Sequence, residues 1–145
     1  MKTFLKLGVS ALTAALLLSG CATDSNTPAS SSGAKPAATA MTDAEFGKKL
    51  IGQWTGDWSI AQFGGKFVLI VTKVEGKNVT GEGHFYGTAN GDTKESLGKA
   101  TIENGQLIAV QPSGMTLKIK LRDANTVTGG WEVGSYAGDL KAKRN

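Results

Sequence analysis

Cysteine is nearly absent. Among 145 residues only Cys21 carries a thiol, so no intramolecular disulfide can form and the folded part must be held by its core and its sheet ladder. Histidine is equally scarce: His84 stands alone. One histidine and one cysteine assemble neither a His-rich metal cluster nor a Cys–His nucleophile, and no catalytic residue, metal ligand or cofactor is expected. Long hydrophobic runs are missing as well. The longest apolar zone, 7–18, has twelve residues, whereas a spanning helix needs about 20. No basic cluster is interleaved with aromatics, which leaves nucleic acid without a footprint. The glycine-rich pieces fit neither a Walker nor a dinucleotide fingerprint, and no helix follows them to receive a phosphate.

What is present at the start is a three-zone leader. Lys2 and Lys6 give a positive beginning, the apolar zone follows, and small residues lead up to Cys21. That layout is a secretory signal peptide over 1–20. Leu18-Ser19-Gly20-Cys21 resembles the lipobox of bacterial lipoprotein precursors in all four positions. The resemblance implies a diacylglyceryl group on the Cys21 thiol, cleavage before it and acylation (palmitate, typically) of the new amino end. Two or three acyl chains, each buried methylene contributing about 0.8 kcal/mol, would make release into water negligible. Residue 22 is Ala rather than Asp. Under the enterobacterial sorting rule this places a lipoprotein at the outer membrane, on its periplasmic face, rather than at the inner one.

The segment 21–41 is rich in Ser, Thr, Ala and Pro and has no aromatic residue, Leu, Ile or Val. It cannot bury enough apolar surface to order itself, and as a tether it would have an r.m.s. span of about 25 Å. The remainder, 42–145, suits one domain. It carries 13 Lys and Arg against 11 Asp and Glu, too near balance to imply a polyanionic partner.

The domain opens with a capping box, Thr42 followed three residues later by Glu45, and Met41 and Phe46 have the spacing of a hydrophobic staple. A short helix is expected to about Leu50, ended by Gly52. Beyond it the period becomes two, with turn signals every 8 to 14 residues. Eight strands are expected, over 52–61, 66–74, 79–86, 94–103, 106–111, 115–122, 126–133 and 135–143. Gly64-Gly65 marks the first turn in this reading, and Asn104-Gly105 is the strongest hairpin signal. The fold class is therefore all-β: an eight-stranded antiparallel up-and-down meander with one short N-terminal helix, closing into a small barrel, with a flattened barrel or sandwich as the alternative. On the first strand Trp54, Gly56, Trp58 and Ile60 share one face. Glycines at 56, 81, 83, 129, 130 and 138 would make room inside for indoles and for tight curvature.

Gly52-Gln53-Trp54 on the first strand, behind a short helix, resembles the calycin group, which includes lipocalins, fatty-acid-binding proteins and avidin-like barrels. In lipocalins this tryptophan closes one barrel end beneath a basic residue of the final strand, a role the resemblance offers to Lys141, Lys143 or Arg144. The pattern Gly52-Gln53-Trp54-Thr55-Gly56-Asp57-Trp58, with Gly129-Gly130-Trp131 near the end, is similar to small bacterial lipocalin-like domains. The Thr-Asp-Tyr turn motif of lipocalins is absent. The domain is about a third shorter than a usual lipocalin, which argues against a large cavity.

Two sets of side chains invite a chemical reading. Glu82, His84 and Tyr86 share one strand face, but Val79 and Phe85 occupy the other, so the three are expected to point to solvent. Trp54, Trp58 and Trp131 are expected inside, as core packing or as the lining of a site for a small apolar or sugar-like ligand, together with the face of Met115, Leu117, Ile119 and Leu121. Three functions remain: a ligand-binding module on a lipid anchor; a structural or inhibitory envelope protein that uses the barrel exterior or loop rim against another protein; and an enzyme. The first is preferred. The expected partners are the membrane, through the N-terminal lipid, and a small ligand or an envelope protein.

Overall fold

The computed structural model describes residues 41–145; the leader, Cys21 and nearly all of the tether lie outside the described residues. Helix α1 (Asp43–Leu50) begins as its capping box requires. The Glu45 N–H donates to Thr42 Oγ1 at 3.3 Å, and the Thr42 N–H donates to Glu45 Oε2 at 3.0 Å. These bonds satisfy two donors that every helix start leaves open. Phe46 and Leu50 turn one face of the helix into the core.

Nine strands follow: β1 (Gly52–Ile60), β2 (Phe63–Glu75), β3 (Asn78–Thr88), β4 (Gly91–Ser96), β5 (Lys99–Glu103), β6 (Gln106–Val110), β7 (Thr116–Asp123), β8 (Thr126–Val133) and β9 (Tyr136–Arg144). Every pairing is antiparallel, and β1 pairs with both β2 and β9. The sheet therefore closes on itself as an eight-membered barrel in which β4 and β5 share the fourth place, both beside β3. The expected strand 94–103 is broken at Leu97-Gly98. Gly98 has φ +63°, and a Cβ there would collide with the Val110 carbonyl oxygen, so the chain can step across only with glycine. β5 then continues the ladder to β6, while β4 runs on beside β3.

The first turn also differs from the sequence reading. It is Ala61-Gln62, with Ile60 opposite Phe63, and Gly64-Gly65 lies within β2. Gly65 sits opposite Trp58, and a Cβ on it would fall 2.7 Å from Trp58 Nε1. The glycine accommodates an indole instead of turning the chain.

Period-two alternation places Phe67, Leu69, Val71, Ile102, Leu107, Leu117, Ile119, Val127 and Leu140 in one buried core. At the end covered by α1, Trp54 is fully buried and its Nε1 donates to the Leu50 carbonyl at 2.9 Å. Of the three basic residues the final strand offers, Arg144 takes the place over Trp54. Its guanidinium carbon lies 4.2 Å from the ring centroid. Its two terminal nitrogens donate to the carbonyls of Ile51 and Lys49. One side chain thus covers the tryptophan and ties down the last carbonyls of the helix. This end of the barrel is shut.

Candidate functional site: a cavity at the end away from the helix

The other end is open. A cavity of about 1110 Å³ enters the barrel there, larger than the short strands suggest. β6 is short and stops at Val110, and the link that follows it lines this end in place of a strand.

Trp58 and Trp131 form part of the cavity wall, each 7% exposed, whereas Trp54 belongs to the closed end and does not line it. Met115 is the one residue of the expected β7 face at the wall; Leu117 and Ile119 are buried in the core. The two lining tryptophans meet edge to face, with centroids 5.9 Å apart and planes at 82°, a favoured aromatic geometry.

They come from one motif used twice. Trp58-Ser59-Ile60-Ala61-Gln62-Phe63-Gly64-Gly65 and Trp131-Glu132-Val133-Gly134-Ser135-Tyr136-Ala137-Gly138 share the pattern Trp, any, Ile or Val, small, any, Phe or Tyr, small, Gly. Both fold as hairpins with two-residue loops. Trp58 stands opposite Gly65 and Ile60 opposite Phe63; Trp131 stands opposite Gly138 and Val133 opposite Tyr136. In each, the indole lies over the glycine, and a Cβ there would fall 2.7 Å from Nε1. The hairpins are joined through the β1–β9 ladder, so four adjacent strands make one aromatic wall. Phe63 and Tyr136, each 65% exposed, stand at its rim. The copies differ in one respect: Trp58 Nε1 donates to the Tyr86 carbonyl at 2.9 Å, while Trp131 Nε1 is buried without a partner.

Polar groups lie on β4, four strands round from β9, and on the link from β6 to β7. Gly83 pairs with Glu95 and Phe85 with Thr93; Gly83 and Phe85 face inward, so Thr93 and Glu95 do too. The buried Gln111 amide fills the space that Gly83 leaves, and its Nε2 reaches the Ser96 carbonyl at 3.4 Å. The Ser113 N–H donates to Glu95 Oε2 at 3.2 Å. These contacts bridge β4 to the link where no ladder joins them. Glu95, Gln111, Phe63 and Tyr136 were not singled out from sequence. The doubled motif would have found the two rim residues, and the two-residue step from Leu97 back to Glu95 would have found the carboxylate.

Glu82, His84 and Tyr86 are on the outer face, as the alternation requires. Glu82 Oε2 lies 2.9 Å from His84 Nε2. His84 is nonetheless only 8% exposed, set between Val68 and Lys94 in the cross-strand row. The pair does not reach the cavity. No group of three or more metal-ligating side chains occurs among the described residues.

No protein-family model matches the chain, and no curated protein matches it in sequence. Among solved structures, a redesigned β-barrel is 9% identical with a TM-score of 0.54, covering 68% of this chain and 93% of its own. A mutant of the fluorescent protein UnaG is 12% identical with a TM-score of 0.45, covering 68% of this chain and 97% of its own. At these identities the likeness concerns the fold alone, a small closed β-barrel.

Proposed function

We propose that this chain is a lipid-anchored protein of the cell envelope whose barrel binds a small, largely apolar ligand. One observation carries the reading: a cavity of about 1110 Å³ with a doubled aromatic wall and a few convergent polar groups, which is how small-molecule sites are generally built. A filled interior would have served stability better, since unfilled core volume is costly. The anchor rests on Leu18-Ser19-Gly20-Cys21 and the leader before it, and Ala22 favours the outer membrane. Among the described residues no helix is long and apolar enough to cross a membrane. A non-catalytic role is part of the reading, because the Glu82–His84 pair lies on the outer wall, away from the cavity.

Native mass spectrometry of the full protein, extracted from its own membranes in mild detergent, tests the ligand. The expected result is one small molecule retained per chain. The anchor is tested in parallel by radiolabelled palmitate, taken up by the parent and not by Cys21→Ser. A second reading, contact with another envelope protein through the loop rim, is favoured by the exposure of Phe63 and Tyr136. Blocking the cavity with Thr93→Trp would leave that contact intact.

A further inference from the structure

Among the described residues, the cavity wall contains no Lys, Arg or His, and its single charged side chain is Glu95. This is not a matter of supply, since basic residues outnumber acidic ones in the barrel. The strand register turns Glu95 inward opposite Gly83, two residues from the buried Leu97. The Ser113 N–H holds its carboxylate at the polar side of the cavity. Facing it across the barrel are Trp58 and Trp131, with Phe63 and Tyr136 at the mouth.

An apolar molecule that enters this space takes water away from Glu95. A desolvated carboxylate is costly unless a positive charge or strong donor replaces the water. A carboxylate ligand would find no cation to receive it and would meet a like charge. A cationic group would find an opposite charge at Glu95, and an apolar body attached to it would find the indoles of Trp58 and Trp131 across the cavity. We infer that the cavity takes an organic cation with an apolar body, its ammonium group beside Glu95 and its hydrocarbon on the Trp58–Trp131 wall. The inference rests on the ligand-binding reading above and specifies its chemistry.

Three matched probes test it: 1-naphthylmethylamine, 1-naphthylmethanol and 1-naphthylacetate, titrated calorimetrically near neutral pH. The full chain is held in lipid nanodiscs, and the heat with empty nanodiscs is subtracted. The amine should bind at least about tenfold more tightly than the acetate, and Glu95→Gln should weaken the amine about tenfold while leaving the alcohol unchanged. Binding of the alcohol without preference for the amine over the acetate would overturn this inference and leave the ligand-binding reading standing. So would an equal loss of amine and alcohol in Glu95→Gln. The preference in the parent needs no variant to fold. If none of the three binds, both readings fall.

Discussion

Trp58 and Trp131 meet edge to face, 5.9 Å apart, from the same position of two hairpins that repeat one eight-residue motif. Each ring occupies space that a glycine on the neighbouring strand leaves free. The barrel is thus built differently at its two ends. A third tryptophan, Trp54, is sealed under Arg144 and the helix, while this pair stands in the wall of an open cavity.

The glycines beneath the rings are as necessary as the rings. In Gly138→Ala the new methyl would collide with the Ser59 carbonyl oxygen and fall 2.7 Å from Trp131 Nε1. Backbone cannot retreat cheaply, so a loss of about 2–3 kcal/mol is expected in urea denaturation. Gly65→Ala should cost a similar amount, because its methyl meets the Tyr86 carbonyl oxygen and Trp58 Nε1 in the same way. Normal stability in both variants would refute the packing described.

Arg144 should be the strap of the closed end. Arg144→Ala removes the cation over Trp54 and both carbonyl contacts, for a combined loss of about 2 kcal/mol in thermal or urea unfolding. Arg144→Lys should recover only part of it. An ammonium group has no planar fork to serve two carbonyls while stacking on a ring.

The hairpin loops offer a gain. Ala61 has φ +48°, and its counterpart in the second hairpin is Gly134, at φ +58°. A left-handed alanine is strained where glycine is not. Ala61→Gly is expected to stabilise the barrel by about 0.5 kcal/mol, the relief exceeding glycine's added freedom in the unfolded chain. A lower denaturation midpoint would contradict this.

Acid should weaken the fold through two carboxylates. The Thr42 N–H, and then its hydroxyl, hold the Glu45 carboxyl below its ordinary range; the Asn125 N–H does the same for Asp123. A folded pKa below the unfolded one gives stability that is complete above the ordinary carboxylate range and is lost as pH falls through the folded value. The urea midpoint should therefore decline on acidification through that range. Glu45→Gln and Asp123→Asn should each flatten part of the decline.

Much of this was legible in the residues. Thr42 and Glu45 announce the helix start because capping is local chemistry. The alternation around Trp54, Trp58 and Ile60 announces which face is inside because a strand has period two. Gly64-Gly65 misled because glycine serves both turns and indole contacts, and only the partner strand reveals which. The break at Gly98 was hidden for a related reason: its cause is the Val110 carbonyl across the sheet. The cavity itself depends on where β6 stops relative to β4, a relation between strands that no single segment contains.

The claim that this barrel receives an apolar ligand is tested most directly by filling the cavity. Thr93 lies on its polar wall, so Thr93→Trp should occupy the space with an indole. Titration with Nile red, a neutral apolar dye, should give one saturable site per chain in the parent. In Thr93→Trp it should give none, with the circular dichroism of the barrel unchanged. Equal dye binding by both proteins would contradict the account.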